Sequence, residues 1–108
     1  MQLIDSEEVQ KRLTKWQNED LYMHQEMTTG AYASHPASTF VKNAKIRYSL
    51  GTIAGEGPYR VGLKMEDGWV YAQGLTHWDF TDNHQLILAG HDDKGRLVVC
   101  LMLSKEPF

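Results

Sequence analysis

A chain of 108 residues, 42% hydrophobic and 23% charged, has the composition of one globular domain spanning 1–108, able to bury roughly two-thirds of its unfolded surface. Eleven basic against fourteen acidic side chains leave a formal charge of −3, which gives nucleic acid and anionic membranes no general attraction and sets both aside as partners. The opening MQLIDSEE lacks the pattern of a signal peptide, no apolar run is long enough for a membrane span, and the single Cys100 cannot form an intramolecular disulfide; a cytoplasmic protein is expected.

The first element read from the sequence is a helix over residues 5–18. Asp5 suits the N-cap, Glu8 three residues on completes a capping box, and Ile4 and Val9 are spaced for a hydrophobic staple. Val9, Leu13 and Trp16 then form one narrow apolar stripe, while Gln10, Lys11, Lys15 and Gln17 read as a solvated side. In the segment from Asp20 to Pro36, Leu21, Met23, Gln25 and Met27 alternate with Tyr22, His24 and Glu26, the period of a strand. Thr29-Gly30 reads as a turn into a shorter strand around Ala31 to Ala33. A two-residue turn sets His24 opposite His35, and a loop that includes Thr28 sets Met23 there instead.

From Phe40 to Ile53 a long extended run places Ala44, Ile46, Tyr48 and Leu50 inward and Asn43, Lys45, Arg47 and Ser49 outward. Gly55 to Pro58 turns the chain into the hairpin around which the domain is organised. Its first strand alternates Tyr59, Val61, Leu63 and Met65 with Arg60, Gly62 and Lys64; Asp67-Gly68 suits a type I′ turn, and the return strand starts at Trp69. Trp78 and Phe80 read as inward residues of a short strand, with Asp82-Asn83 as a turn. Leu86 to Ala89 begins another strand, and after a connection at His91 to Gly95 the chain returns through Arg96 to Leu103. That last strand is apolar on both faces, so it is either central or covered, with the helix as its natural cover. The expected fold is mostly β (α+β): an N-terminal helix packed on an antiparallel β-barrel-like meander of roughly seven strands, curled to protect its edges.

Two groups of residues carry chemistry. His24, Glu26 and His35 are ligand types suited to zinc or iron, and residues i and i+2 of a strand project to the same side, so a metal-dependent enzyme is one reading. Against it, HExxH and paired CxxC spacings are absent, and a His and a Glu on a half-wet strand face also simply hydrogen-bond. The second group is a small-molecule pocket lined by Tyr22, Tyr32, Tyr59, Trp69, Tyr71 and Trp78 with Arg60 and Lys64; Tyr22, Arg60, Trp69 and Tyr71 are the candidate ligand-binding set. Aromatics filling a small core, with Arg60 and Lys64 on its wet reverse, are the plainer alternative, and Tyr59 and Arg60 must point opposite ways. No nucleophile elbow is present, Cys100 lies in the apolar LVVCLML, and GEGP precedes a strand, so neither acyl transfer nor a phosphate cradle is indicated. His91-Asp92-Asp93 falls at a hairpin tip, where it could hold a cation weakly. No catalytic residue and no cofactor are assigned.

The strings YMHQEMTTGAYA, VKNAKIRY, GEGPYRVGLKMEDGWVYAQGLT and LILAGHDDKGRLVVCL resemble the YojF family of small, functionally uncharacterised proteins of Bacillus-type bacteria, over essentially the whole chain. The resemblance implies a single β-barrel-like domain and brings no established catalytic residues. It also implies, through gene context, an accessory role beside a zinc-dependent N-acetylglucosaminyl deacetylase type linked to bacillithiol, a low-molecular-weight thiol. A non-enzymatic cytoplasmic accessory or binding protein is therefore the leading expectation, with the metal-dependent enzyme and a ligand-free homodimer as alternatives.

Overall fold

The structure, a computed structural model, describes residues 1–29 and 34–108. In chain order the elements are β1 (Gln2–Leu3), α1 (Ser6–Lys15), β2 (Leu21–Thr28), β3 (Ser38–Ile46), β4 (Tyr48–Ala54), β5 (Tyr59–Met65), β6 (Trp69–Leu75), β7 (His77–Phe80), β8 (Gln85–His91) and β9 (Leu97–Ser104). Among the described residues every strand pairing is antiparallel. The strands form a six-stranded sheet in the order β1-β7-β8-β9-β2-β3 and a three-stranded sheet in the order β4-β5-β6. The mostly β fold with one helix is thus as expected, and the two sheets enclose one core without closing into a single ladder. Among the described residues no helix is long and apolar enough to cross a membrane.

The helix starts where the sequence places it. Asp5 caps it by accepting from the Glu8 amide at 3.3 Å, and Glu7 and Glu8 near its start and Arg12 and Lys15 near its end complement the helix dipole. It ends earlier than residue 18, because Trp16 is already the C-cap and Asn18 turns into the left-handed region at φ 65°. Val9, Leu13 and Trp16 are buried as the stripe predicts. Its polar side is not simply solvated. Gln10 Nε2 donates to the Gly51 carbonyl at 2.9 Å, Gln10 Oε1 accepts from the Ile53 amide at 3.0 Å, and Gln17 Oε1 accepts from the Gly51 amide at 3.2 Å. Two glutamines therefore occupy the hydrogen-bonding edge of β4, which would otherwise be open to another strand. The Tyr48 hydroxyl, buried within the core, donates to the Leu13 carbonyl at 2.7 Å and fixes the helix to the same strand.

The helix consequently covers β4. On β9, Val99, Leu101 and Leu103 line the core and the half-buried Val98 packs against it, while Met102 on the other face is also half-buried. The long run from Phe40 is broken at Arg47, where the chain passes from one sheet to the other. A register shift between Tyr48 and Leu50 then reverses the inward set: Tyr48 is buried, Leu50 is turned out, and Gly51 takes the inner place. The central hairpin forms as read, but its loop is Glu66–Gly68. Only Gly68 has positive φ, at 87°, so the turn is not type I′.

The hairpin after β2 differs more. Thr28 pairs with Ser38, and the loop is closed by the Thr29 amide donating to the Ala37 carbonyl and the Ala37 amide donating to Thr29 Oγ1, both at 2.8 Å. The expected turn residue Gly30 and the short strand around Ala31 to Ala33 lie outside the described residues. Since Ser38 rather than His35 begins the partner strand, neither sequence register applies, and His24 sits at a bulge between Met23 and Gln25.

Candidate functional site

The outer face of the three-stranded sheet is built by register. Leu50, Lys64 and Trp69 lie in one row across β4, β5 and β6; Thr52, Gly62 and Tyr71 lie in the next; Ala54, Arg60 and Gln73 lie in the third. Because these positions alternate with the buried Val61, Leu63, Val70 and Ala72, all nine face away from the core. Trp69 is 57% exposed, Tyr71 52% and Leu50 46%, a concentration of large apolar side chains on one wet face.

Gly62 is the floor of this face. A Cβ placed there would lie 3.4 Å from Tyr71 Cε2 and 3.5 Å from Trp69 Cζ3, so both rings rest over the glycine. The bare backbone of the middle strand is shielded by its aromatic neighbours, and the same contact holds two rings in a fixed position at the surface. Arg60 and Lys64 flank them on the same strand, exposed, and take part in no ion pair among the described residues. A rigid aromatic pair between two free cations suits a partner that presents a flat apolar group beside an anion.

The candidate ligand-binding set thus divides. Arg60, Trp69 and Tyr71 are brought together, with Lys64. Tyr22 is in the other sheet, opposite Lys45 and Ser104. Of the other aromatics considered, Tyr59 is half-buried against the core, Trp78 is in the core, and Tyr32 lies outside the described residues. Leu50 was missed because the bulge that exposes it leaves no mark on the alternation of the sequence.

His24 and Glu26 share a face of β2, as alternation requires. His24 stacks on Phe40 with ring centres 6.3 Å apart and meets Phe108 edge-on at 6.5 Å. Phe108 is itself held by Asn43, whose Oδ1 accepts from the Phe108 amide at 2.8 Å and whose Nδ2 donates to its carbonyl at 3.1 Å. Glu26 pairs with Phe40 on one side and Cys100 on the other, and His35 is exposed in the connection leading to β3. Among the described residues no three His, Cys, Asp or Glu side chains are grouped to hold a metal ion. Burial, and secondarily the charge of Glu26, pushes the Cys100 thiol up to about 11, which keeps it protonated and unreactive at neutral pH.

A second feature borders the aromatic face. Gln25, Met27, Thr39, Phe40 and Val41 of the larger sheet and Tyr71 to Gln73 of β6 line a cleft of about 350 Å³ between two strand edges. Gln25 Nε2 crosses it to donate to the Tyr71 carbonyl at 2.7 Å.

Compared with known proteins, residues 3–108 match the family described as "Protein of unknown function (DUF1806)". The chain is 40% identical over 114 residues to "Uncharacterized protein YojF" of Bacillus subtilis (strain 168), an alignment covering 100% of this chain and 98% of the relative. The crystal structure of Bacillus subtilis YojF protein has the same fold, with a TM-score of 0.88 at 40% identity over 99% of this chain and 95% of that one.

Proposed function

The chain belongs to the DUF1806 family, and from that premise we propose that it is a non-enzymatic accessory protein of the cytoplasm that binds a partner through the outer face of β4, β5 and β6. The observation that carries this reading is the pair of exposed rings, Trp69 and Tyr71, resting on Gly62 between Arg60 and Lys64. Trp, Tyr and Arg are the residue types on which binding energy concentrates at protein interfaces, and rings already held in place lose little entropy on contact. The gene neighbourhood associated with the resembling YojF family supplies the partner: the sugar deacetylase type of low-molecular-weight thiol synthesis. The face supports a protein contact, since it is open, flat and not a deep cavity.

The test is sedimentation of the purified chain with that deacetylase. A complex at micromolar concentrations that is lost in Trp69→Ala/Tyr71→Ala supports the reading. Independent sedimentation of the two wild-type proteins, or a complex indifferent to the double substitution, overturns it. Self-association is a second reading, favoured by the exposed Met27, Phe40 and Val41 beside the cleft at the β3 edge. A dilution series of the chain alone separates the two, because a homodimer dissociates on dilution and a monomer does not change.

A further inference from the structure

At the edge where β1, β7 and β8 meet lies a groove of about 700 Å³ lined by Met1, Leu3, Thr76, His77, His91 and the hairpin after β8. His77 is opposite Ala89, and His91 is two residues further along β8, so the two imidazoles are diagonal neighbours on one sheet face. Their ring centres are 5.0 Å apart and their planes are perpendicular, at 88°. Thr76 Oγ1 lies 2.8 Å from His77 Nδ1, which orients that ring and leaves Nε2 as its available nitrogen. His91 Nδ1 is shut off from solvent and has no hydrogen-bond partner. A buried ring nitrogen without a partner costs free energy that an adjoining ligand can recover.

We propose that this pair binds a divalent transition-metal ion such as Zn²⁺, through Nε2 of His77 and Nδ1 of His91. Two imidazoles on one tetrahedral ion, at about 2.0–2.1 Å per Zn–N bond, bring ring centres to roughly the spacing present here. The Thr76 hydroxyl acts as the outer partner that metal-bound histidines generally have on their second nitrogen. Asp92 is not a ligand, because its Oδ1 accepts from the Lys94 and Arg96 amides and its Oδ2 from Arg96 Nε. With no third side chain grouped beside the pair among the described residues, water from the groove completes the coordination, and the His91 ring turns to bring its enclosed Nδ1 to the ion. The inference is independent of the aromatic face and of the His24, Glu26 and His35 set.

The test is calorimetric titration of the untagged full chain with Zn²⁺ alone, combined with NMR of the histidine ring nitrogens. Micromolar binding is expected, with displaced resonances of His77 Nε2 and His91 Nδ1. His77→Ala and His91→Ala should each weaken it at least tenfold, Thr76→Val severalfold, and His24→Ala and His35→Ala not at all. If an alanine variant fails to fold, His77→Gln and His91→Gln keep size and polarity and serve in its place. Unmoved His77 and His91 resonances in excess Zn²⁺, or binding that follows His24 and His35, would overturn the proposal.

Discussion

Gly62 offers a way to disturb the aromatic face without removing any of its functional groups. A Cβ at Gly62 meets Tyr71 Cε2 at 3.4 Å and Trp69 Cζ3 at 3.5 Å, which is ordinary contact, and the residue's φ is outside the left-handed region. Gly62→Ala should therefore leave both rings in place and gain about 0.5–1 kcal/mol from the lost flexibility of glycine. Gly62→Val carries two further methyl groups, each about 1.5 Å beyond Cβ, into the space that the rings occupy. At least one ring must lift. The lost ring contact, about 0.5–1.5 kcal/mol, is offset by the strand preference of valine, up to about 1 kcal/mol, so stability should stay within about 1 kcal/mol of wild type. Partner binding should not survive so well: displacing an anchoring aromatic costs about 2 kcal/mol or more, roughly thirtyfold in Kd. Urea unfolding and calorimetric titration with the deacetylase measure the two quantities separately. Gly62→Val binding within threefold of wild type, or Gly62→Ala losing as much as Gly62→Val, would refute the reasoning.

Other perturbations test the scaffold. At Gly90 an added Cβ would lie 2.0 Å from the Gly74 carbonyl oxygen and 2.7 Å from Val99 Cγ1, and backbone cannot swing aside, so Gly90→Ala should lose roughly 3 kcal/mol or more in urea unfolding. Tyr48→Phe deprives the Leu13 carbonyl of its buried donor and should cost about 1–2 kcal/mol, read as a lowered thermal midpoint. For Cys100, burial raises the folded thiol from 9.0 to about 11, so the unfolded chain releases its proton first. The stability this protonated thiol contributes is present below pH 9 and lost as pH rises through 11; pH-dependent unfolding of Cys100→Ala should lack that part of the alkaline decline.

Much of this architecture is legible in the residues because one face of each strand is buried. Val61, Leu63, Val70 and Ala72 mark the inner side of the central hairpin, and that alone puts Arg60, Trp69 and Tyr71 on one outer face. Alternation fails where the backbone inserts a residue: the shift between Tyr48 and Leu50 turns an apparent core leucine outward, whereas His24 keeps the face that alternation gives it and meets Phe40 because Phe40 pairs with Glu26 two residues on. Tyr22 shows a different limit, since its spacing fixed a strand face and not which sheet carries it. Gln10 and Gln17 look like any solvated helix side until the edge of β4 lies beside them. His77 and His91 are fourteen positions apart in the sequence, and only the register of β7 on β8 makes them neighbours.

The most direct test of the proposed contact is amide hydrogen exchange of the chain alone and with the deacetylase added. Slowed exchange concentrated in Tyr59–Met65 and Trp69–Leu75, with β2 and β3 unchanged, is the predicted result. Protection confined to the larger sheet, or none in either, would contradict a partner seated on the two rings above Gly62.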